Sequence, residues 1–211
     1  MRNIPVFSTE LGVASLVLDQ IPYSGTAFAH ICSTAQPEAF IAECAGFCRA
    51  AGADRILATG HEVLEKFPVQ YEILSMSRPY EGVEDTDAAV IPVTEQTLDS
   101  WVRHYNERMK KVDGATYMSS LEGKKLLEDG HGYFVHRNGR LIGIGKASGE
   151  TVDAIATVVS GEGKTVLSAL CHCLSGPMVQ LQVASTNRRA IRLYENMGFI
   201  CTGITRRWHR I

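Results

Sequence analysis

The sequence predicts an α/β (α+β) fold in which a mixed, mostly antiparallel central sheet is flanked by helices. Apolar runs of strand length recur along the chain, with segments of helical spacing between them. Of the 211 residues, 45% are hydrophobic, which is enough to bury a core. In the second half, two helix patterns, three strand patterns and then alternating helix and strand indicate a sheet covered on both faces.

The first half of the chain opens with two apolar runs, Val13 to Asp19 and Thr26 to Ser33, which predict a β-hairpin. Residues 37–51 show helical spacing, with Phe40, Cys44, Phe47 and Cys48 on one face. The letters RILATG, HEVLEKF and VQYEILSMS then predict a strand, a short helix and a further strand.

An acidic, turn-prone segment, SRPYEGVEDTDAAVIP, separates the two halves at residues 77–92. The segment contains Pro79, Gly82 and the acidic Glu84, Asp85 and Asp87, which are unsuited to a core, so we interpret it as a linker. The sequence therefore predicts two domains, at residues 1–80 and 90–211.

The second half contains an Asn138-Gly139 dipeptide between two apolar runs, which predicts a hairpin with a type I′ turn. Two helices precede this hairpin, and alternating strands and helices follow it. The predicted ranges are helices at 94–111 and 120–128, a strand at 151–159, a helix at 164–174, a strand at 178–185, a helix at 187–196 and a strand at 199–208.

Composition excludes several classes of function. The net charge of -2 gives no basic excess for nucleic acid or a membrane surface. The amino terminus does not have the pattern of a signal peptide, and no apolar stretch approaches the ~20 residues of a membrane helix. Cys171 and Cys173 form only a weak metal motif, so we expect no metal, buried free thiols and a cytoplasmic location.

The stretch LQVASTNRRAIRLYENMGF, residues 181–199, is the most informative one. Asn187 follows a predicted strand and can cap a helix, Tyr194 lies two turns later on the same face, and Gly198 can end that helix. The stretch resembles the strand-helix-strand that closes GNAT N-acetyltransferase domains, whose pattern is N-x-x-A-x-x-L-Y-x-x-x-G-F. Without this resemblance, the spacing of Tyr194 favours an amphipathic core residue.

The stretch DAIATVVSGEGKTVLSALCHCL, residues 153–174, resembles the acyl-CoA-binding segment of GNAT domains. There a strand ends in a glycine-rich turn and a helix whose free amides bind phosphate. Without gaps, the basic residue of the family's R/Q-x-x-G-x-G/A motif falls on Glu162 and its small residues on Thr165 and Leu167. A register two residues earlier uses Ser160, Gly163 and Thr165, and neither register restores the motif.

The resemblance implies direct acetyl transfer from acetyl-CoA, the co-substrate, to the amine of a small molecule or amino acid. It implies that the main chain of Thr157, Val158 and Val159 pairs with the cofactor and that Tyr194 protonates the leaving thiolate. The base remains open between Glu150, Asp153 and His136. The residues expected to contact the cofactor are Gly161, Gly163, Lys164, Thr165 and Asn187.

A constant offset of 126 residues superimposes the predicted elements of the first half on those of the second, with His61 meeting Asn187. The first half lacks the phosphate-loop glycines, and Pro68 stands where Tyr194 would map. It is interpreted either as a degenerate GNAT-like repeat or as an unrelated α/β extension. A rival hypothesis for the whole chain is a non-catalytic acyl-CoA-binding or regulatory protein. We also expect a homodimer through an exposed final strand.

Overall fold

The computed structural model describes residues 5–80 and 86–211. These residues form two compact units. The first contains the described residues up to Glu72 together with Thr205–Ile211, and the second contains Ile73–Ile204. The units therefore differ from the two contiguous domains expected from the sequence, because each contains a strand segment from the other half of the chain.

Eleven strands are found among the described residues, together with six α-helices and one 3-10 helix, η1. The strands are β1 (Val6–Thr9), β2 (Gly12–Val17), β3 (Thr26–Thr34), β4 (Arg55–Thr59), β5 (Val69–Pro79), β6 (Ala88–Pro92), β7 (Gly132–Arg137), β8 (Arg140–Ser148), β9 (Thr151–Thr157), β10 (Met178–Ala184) and β11 (Ile200–Arg210). The helices are α1 (Ile21–Ser24), α2 (Pro37–Ala50), η1 (Glu62–Lys66), α3 (Leu98–Met109), α4 (Ser120–Asp129), α5 (Gly163–Cys171) and α6 (Arg188–Asn196).

The predicted linker is shorter than its sequence pattern suggests. β5 extends to Pro79, and β6 begins at Ala88 and pairs antiparallel with β7. In β6, Ala88 and Val90 pack against the core while Ala89 and Ile91 are exposed. The strand has only five residues, and its conformation depends on pairing with the distant β7. The linker residues at positions 82, 84 and 85 lie outside the described part of the chain.

The first unit has the strand order β1-β2-β3-β4-β11, with β3 parallel to β4. Its core lies between this sheet and α2, whose Phe40, Cys44 and Cys48 are fully buried. The expectation that Phe47 shares this buried face was wrong: 45% of Phe47 is exposed. Its ring instead lies 5.0 Å from that of Phe7, at the margin of the core.

The second unit has the strand order β5-β10-β9-β8-β7-β6, and helices cover both faces. α5 and α6 pack on one face, while α3 and α4 pack on the other around the buried Trp101. Asn138 and Gly139 have φ angles of 50° and 72°, so the hairpin turn has the two left-handed residues that a type I′ turn requires.

Strands β5 and β11 each run through both units. In the second unit, residues 73–79 of β5 pair antiparallel with β10 over seven positions. In the first unit, His209 and Arg210 of β11 pair with β4. This pairing involves only the end of the final strand, and residues 200–206 of that strand are exposed. The expectation of a homodimer stays a prediction.

Both halves of the chain repeat one order of elements. Two antiparallel strands, a helix, a strand parallel to the second, a helical segment and a final strand occur in each. His61 and Asn187, which the offset superimposes, cap the helical segments η1 and α6 through side-chain acceptors. The two halves thus share one order of elements, and the internal repeat stays a prediction.

Helix α5 is held close to the sheet by two glycines of β8. A Cβ on Gly145 would lie 2.2 Å from Leu170 Cδ1, and one on Gly143 would lie 2.5 Å from Val166 Cγ2. Both helix residues are fully buried. The two glycines therefore set the height at which α5, and the loop before it, lie above the sheet.

Candidate functional site

Strands β9 and β10 run parallel but pair only where they begin. Gln180 faces Thr151 and Leu181 faces Val152, and beyond these positions the two strands diverge. The β8–β9 register shifts directly after Val152, which leaves Asp153 as an extra, bulged residue. We call the gap between β9 and β10 beyond Val152 and Leu181 the cleft.

The corresponding strands of the first unit do not diverge in this way. β3 and β4 pair over five consecutive positions, from Thr26 opposite Arg55 to His30 opposite Thr59. At the end of β4, a Cβ on Gly60 would lie 2.6 Å from the carbonyl oxygen of Ile31, so the strands stay in contact there. Continuous pairing leaves no free backbone edge for a ligand between them, and the cleft is a property of the second unit.

The backbone of β9 determines which amides can face the cleft. The amides of Val158 and Val159 both donate to the carbonyl oxygen of Ile142, at 2.8 and 3.2 Å. Because residues of an antiparallel pair alternate between hydrogen-bonded and non-hydrogen-bonded positions, Ile155 and Thr157 direct their N–H groups away from β8. Of the three residues expected to pair with the cofactor, only Thr157 therefore presents its amide to the cleft.

The loop between β9 and α5 is accessible. None of the residues from 157 to 165 is buried, and Ser160, Gly161 and Lys164 are exposed. Gly161 has a φ of 90°, a conformation that favours glycine. The first turn of α5 follows, with amides that have no acceptor within the helix, so this loop has the properties of an anion-binding turn.

Gly163 is required for the packing of α5 against α6, and this is a more direct role than allowing a ligand to approach the backbone. A Cβ at this position would lie 2.8 Å from Cδ2 of Leu193, the residue before Tyr194. The start of α5 is therefore in close contact with α6, and the loop and Tyr194 belong to one packed region. Thr165, in the first turn of α5, is half-buried.

Asn187 caps α6 as its position predicts: its Oδ1 accepts a hydrogen bond of 3.2 Å from the Ala190 amide. Tyr194 lies on the buried face of the same helix, in the core cluster that contains Val152 and Leu181. These two residues form the last pair before the cleft opens. The cap therefore fixes the start of the helix that carries Tyr194 into the core cluster of the second unit.

The phenol of Tyr194 is 5% exposed, and its ring lies 5.9 Å from that of Phe199. Within residues 5–80 and 86–211 its hydroxyl has no hydrogen-bond partner, and the oxygen is not among the buried polar atoms, so it keeps contact with solvent. Burial raises the pKa of Tyr194 to about 12, because the charged phenolate would be desolvated. The phenol is thus held in its protonated form, although its pKa lies further above that of a thiol than the ordinary value of ~10.

The three candidate bases occupy different positions. The Glu150 carboxylate accepts a hydrogen bond of 3.2 Å from Gln180, at the closed end of the strand pair and about 23 Å along the strand from Thr157. Asp153 is exposed at the bulge, 3.7 Å from Lys146 Nζ. His136 is on β7, and its Nδ1 is buried without a partner among the described residues.

Sequence reasoning missed two charged residues at the open end of the cleft. Arg137, the last residue of β7, forms an ion pair with Glu162, the N-cap residue of α5. Asp113, between α3 and α4, accepts a hydrogen bond of 2.9 Å from Thr186, just beyond β10. Both partners are distant in sequence, and only their meeting at the strand ends identifies them.

A cavity of about 240 Å³ lies within the first unit, at the end of β4. His209, 2% exposed, lines it and uses Nδ1 to contact the carbonyl oxygen of Phe67 at 3.0 Å. Arg207 lines it too and is bound by Glu65 and Glu72 at 2.9 and 2.8 Å. Two of its polar side chains, Arg207 and His209, are thus engaged by neighbouring groups.

Two further absences apply to the described residues alone. Among residues 5–80 and 86–211, no group of three His, Cys, Asp or Glu side chains is arranged to hold a metal ion. Within the same ranges, no helix has the length and apolarity to cross a membrane.

Comparison with solved structures identifies the fold. A GCN5-related N-acetyltransferase from Sphaerobacter thermophilus has a TM-score of 0.57 at 10% identity, over 94% of this chain and 75% of that chain. One from Anabaena variabilis has a TM-score of 0.62 at 10% identity, over 94% and 59%. A tandem GNAT protein from the clavulanic acid biosynthesis pathway has a TM-score of 0.51 at 11% identity, over 95% and 78%.

Neither the protein-family models nor the curated proteins give a match to this sequence. At identities of 10–11%, the similarity to the solved structures shows the fold alone. The chain therefore has a GNAT-like fold, a mixed and mostly antiparallel sheet flanked by helices, as the sequence predicts.

Proposed function

We propose that this protein is an acetyl-CoA-dependent N-acetyltransferase acting on the primary amine of a small molecule or amino acid. The cleft carries this proposal, since it joins a free strand edge, an accessible phosphate-binding loop and a phenol in one unit. The GNAT-like fold of N-acetyltransferases supports it. The continuous β3–β4 pairing supports a scaffold role for the first unit.

The proposed binding mode follows from the backbone of the second unit. The pantetheine arm of acetyl-CoA lies along the free edge of β9, and its diphosphate lies against the first-turn amides of α5. Lys164 and Thr165 are close enough in the chain to add a charge and a hydroxyl. Asn187 contributes indirectly, by fixing the start of α6.

In the proposed reaction, the amine nitrogen attacks the thioester carbonyl carbon, and the carbon–sulfur bond breaks as the amide bond forms. The Thr157 N–H donates to the carbonyl oxygen as negative charge develops there. Asp153 accepts a proton from the ammonium, directly or through water, because it lies at the vertex of the cleft. Tyr194 gives its proton to the departing thiolate, which leaves as coenzyme A thiol. The second proton of the attacking nitrogen passes to the Tyr194 phenolate, directly or through water, as the amide forms.

A second candidate is a protein that binds acyl-CoA without turnover. Two observations favour it: an acidic Glu162 at the loop, and a Tyr194 buried to 5% exposure. In that case the cleft binds ligand, but no proton donor reaches the sulfur. Both candidates predict acetyl-CoA binding, and only the first predicts release of free thiol.

The experiment has two stages. A melting shift with acetyl-CoA tests the site, because a ligand at 100 times its Kd adds ~2.7 kcal/mol of stability. Thiol release across a panel of primary amines and amino acids then tests turnover. A shift with thiol release supports the enzyme, a shift without release supports the binding protein, and no shift contradicts both.

The three candidate bases are separated by matched amide substitutions. We expect Asp153→Asn to lower kcat/KM by about 10²- to 10⁴-fold, as removal of a general base does. Glu150→Gln should have little effect, since its carboxylate is at the closed end of the strand pair. A large loss in His136→Gln, with Asp153→Asn unaffected, would transfer the role to the imidazole.

A further inference from the structure

The ion pair of Arg137 with Glu162 places a basic side chain beside the loop between β9 and α5. This loop, residues 158–162, contains no Lys or Arg. Arg137 ends β7, and its side chain is 34% exposed. Glu162 is the N-cap residue of α5, and its side chain is 14% exposed. The two residues are 25 positions apart in sequence, so no local motif joins them.

Glu162 presents a difficulty for an anionic ligand. Its carboxylate lies at the helix terminus where a diphosphate is expected, yet it makes no capping hydrogen bond with the backbone of α5. Two like charges in one partly buried place repel each other. The carboxylate must therefore be neutralised before a diphosphate can bind next to it, and Arg137 is the cation in contact with it.

The Arg137 guanidinium also has N–H donors that Glu162 does not engage. A guanidinium carries five N–H groups, and one of its terminal nitrogens, Nη2, is engaged by Glu162. No other partner of this side chain is found in the described part of the chain. A planar guanidinium can donate two parallel hydrogen bonds to phosphate oxygens, which makes arginine well suited to a diphosphate.

We propose that Arg137 is a second basic residue of the diphosphate site beside Lys164, supplied by the β7–β8 hairpin because the loop between β9 and α5 contains none. It neutralises Glu162 with one nitrogen and donates to the diphosphate with the others. This inference rests on the proposed function, because it concerns how the same cleft binds acyl-CoA. It assigns a binding residue that lies outside the resemblance to the GNAT loop.

The first test compares two substitutions with the same change of charge. We expect Arg137→Gln to weaken acetyl-CoA binding by about 10- to 100-fold in calorimetry, as loss of a charge-assisted hydrogen bond does. Arg140→Gln is the matched control, because Arg140 is exposed and faces Arg137 across the hairpin. The control should change the Kd by less than about twofold. Equal Kd values for Arg137→Gln and the wild type would overturn the inference.

The second test uses the carboxylate. Glu162→Gln removes a like charge, so we expect it to bind acetyl-CoA more tightly than the wild type. Adding Arg137→Gln to Glu162→Gln should weaken binding again, because the guanidinium contacts the phosphates directly. If the double variant binds as tightly as Glu162→Gln alone, Arg137 has no contact with the ligand and the proposal fails. This comparison remains decisive even where Arg137→Gln alone lowers the melting temperature.

A truncated substrate localises the effect. S-acetylpantetheine carries the thioester and the pantetheine arm but no diphosphate. Arg137→Gln should raise the KM for acetyl-CoA and leave the KM for S-acetylpantetheine unchanged. An equal rise for both substrates would place Arg137 away from the diphosphate. A wild-type protein that binds no acetyl-CoA would contradict the proposed function itself, whereas normal binding that is insensitive to Arg137 would contradict this inference alone.

Discussion

The position of Tyr194 is consistent with two roles, a core residue and a proton donor. Its spacing from Asn187 predicts both a core residue and a proton donor, and the structure buries its ring beside Phe199. The hydroxyl, however, gains nothing from this packing, because no partner for it is found within the described ranges. Its oxygen is not one of the buried polar atoms that lack a partner, so it keeps contact with solvent while the ring is buried.

Tyr194→Phe separates the two interpretations. We expect turnover to fall by about 10²- to 10⁴-fold, since a proton donor is lost. The free energy of unfolding and the Kd for acetyl-CoA should stay nearly unchanged, because no hydrogen bond is broken. Thiol release, chemical denaturation and calorimetry measure the three quantities. Unchanged turnover would leave Tyr194 as a core residue only.

Buried thiol and phenol groups make the free energy of unfolding depend on pH in the alkaline range. Burial raises the pKa of Cys44 from 9.0 to about 12, and that of Tyr194 from 10.0 to about 12. The unfolded chain therefore loses these protons first. Stability present below pH 9 should decline as the pH rises from 9 through 12. Denaturation at pH 8 and pH 10.5 measures this decline, and equal stability at both values would contradict it.

At the scale of elements, the position of α5 depends on two glycines of β8. We expect Gly145→Ala to cost about 1–3 kcal/mol of stability, because its Cβ would overlap the buried Leu170. Weaker acetyl-CoA binding should accompany this loss, since the loop moves with the helix.

The matched control for this substitution is Gly46→Ala. Gly46 is exposed inside α2, and a Cβ there would meet no atom within 4 Å. This change should stabilise the fold by roughly 0.5–1 kcal/mol through helix propensity. Both variants are measured by chemical denaturation, and a harmless Gly145→Ala would show that α5 is not held by this contact.

Local patterns predicted most elements, because hairpins, caps and amphipathic helices depend on residues close in sequence. The Asn138-Gly139 turn and the Asn187 cap are examples. The strand β6 and the ion pair of Arg137 with Glu162 were not predictable, because each depends on a partner that the chain reaches only after folding. The motif predicted the loop and Tyr194, but the hydrogen-bond pattern of β9 was needed to choose Thr157 over Val158.

At the scale of the whole molecule, the two halves of the sequence are not the two compact units. Residues 73–79 complete the second unit by pairing with β10, and residues 205–211 belong to the first. Neither assignment could be predicted from the sequence. The apolar alternation of β10, for example, is the same whichever strand it pairs with.

The membership of residues 73–79 in the second unit predicts how fragments of the chain fold. A fragment of residues 90–211 should fail to fold cooperatively as a monomer, because β10 loses its partner strand and exposes an unpaired edge. A fragment of residues 73–211 restores that strand and should unfold more cooperatively. Circular dichroism during thermal unfolding compares the two. A stable, monomeric 90–211 fragment would show that the exchanged strand is dispensable.

The central claim is that acyl-CoA binds in the cleft of the second unit, and hydrogen exchange of the backbone amides with and without acetyl-CoA tests it most directly. We predict slower exchange at Ile155 and Thr157 and through the first turn of α5, with no change between β3 and α2 of the first unit. Unchanged exchange from residue 155 to residue 165 in the presence of saturating acetyl-CoA, or protection confined to the first unit, would contradict it.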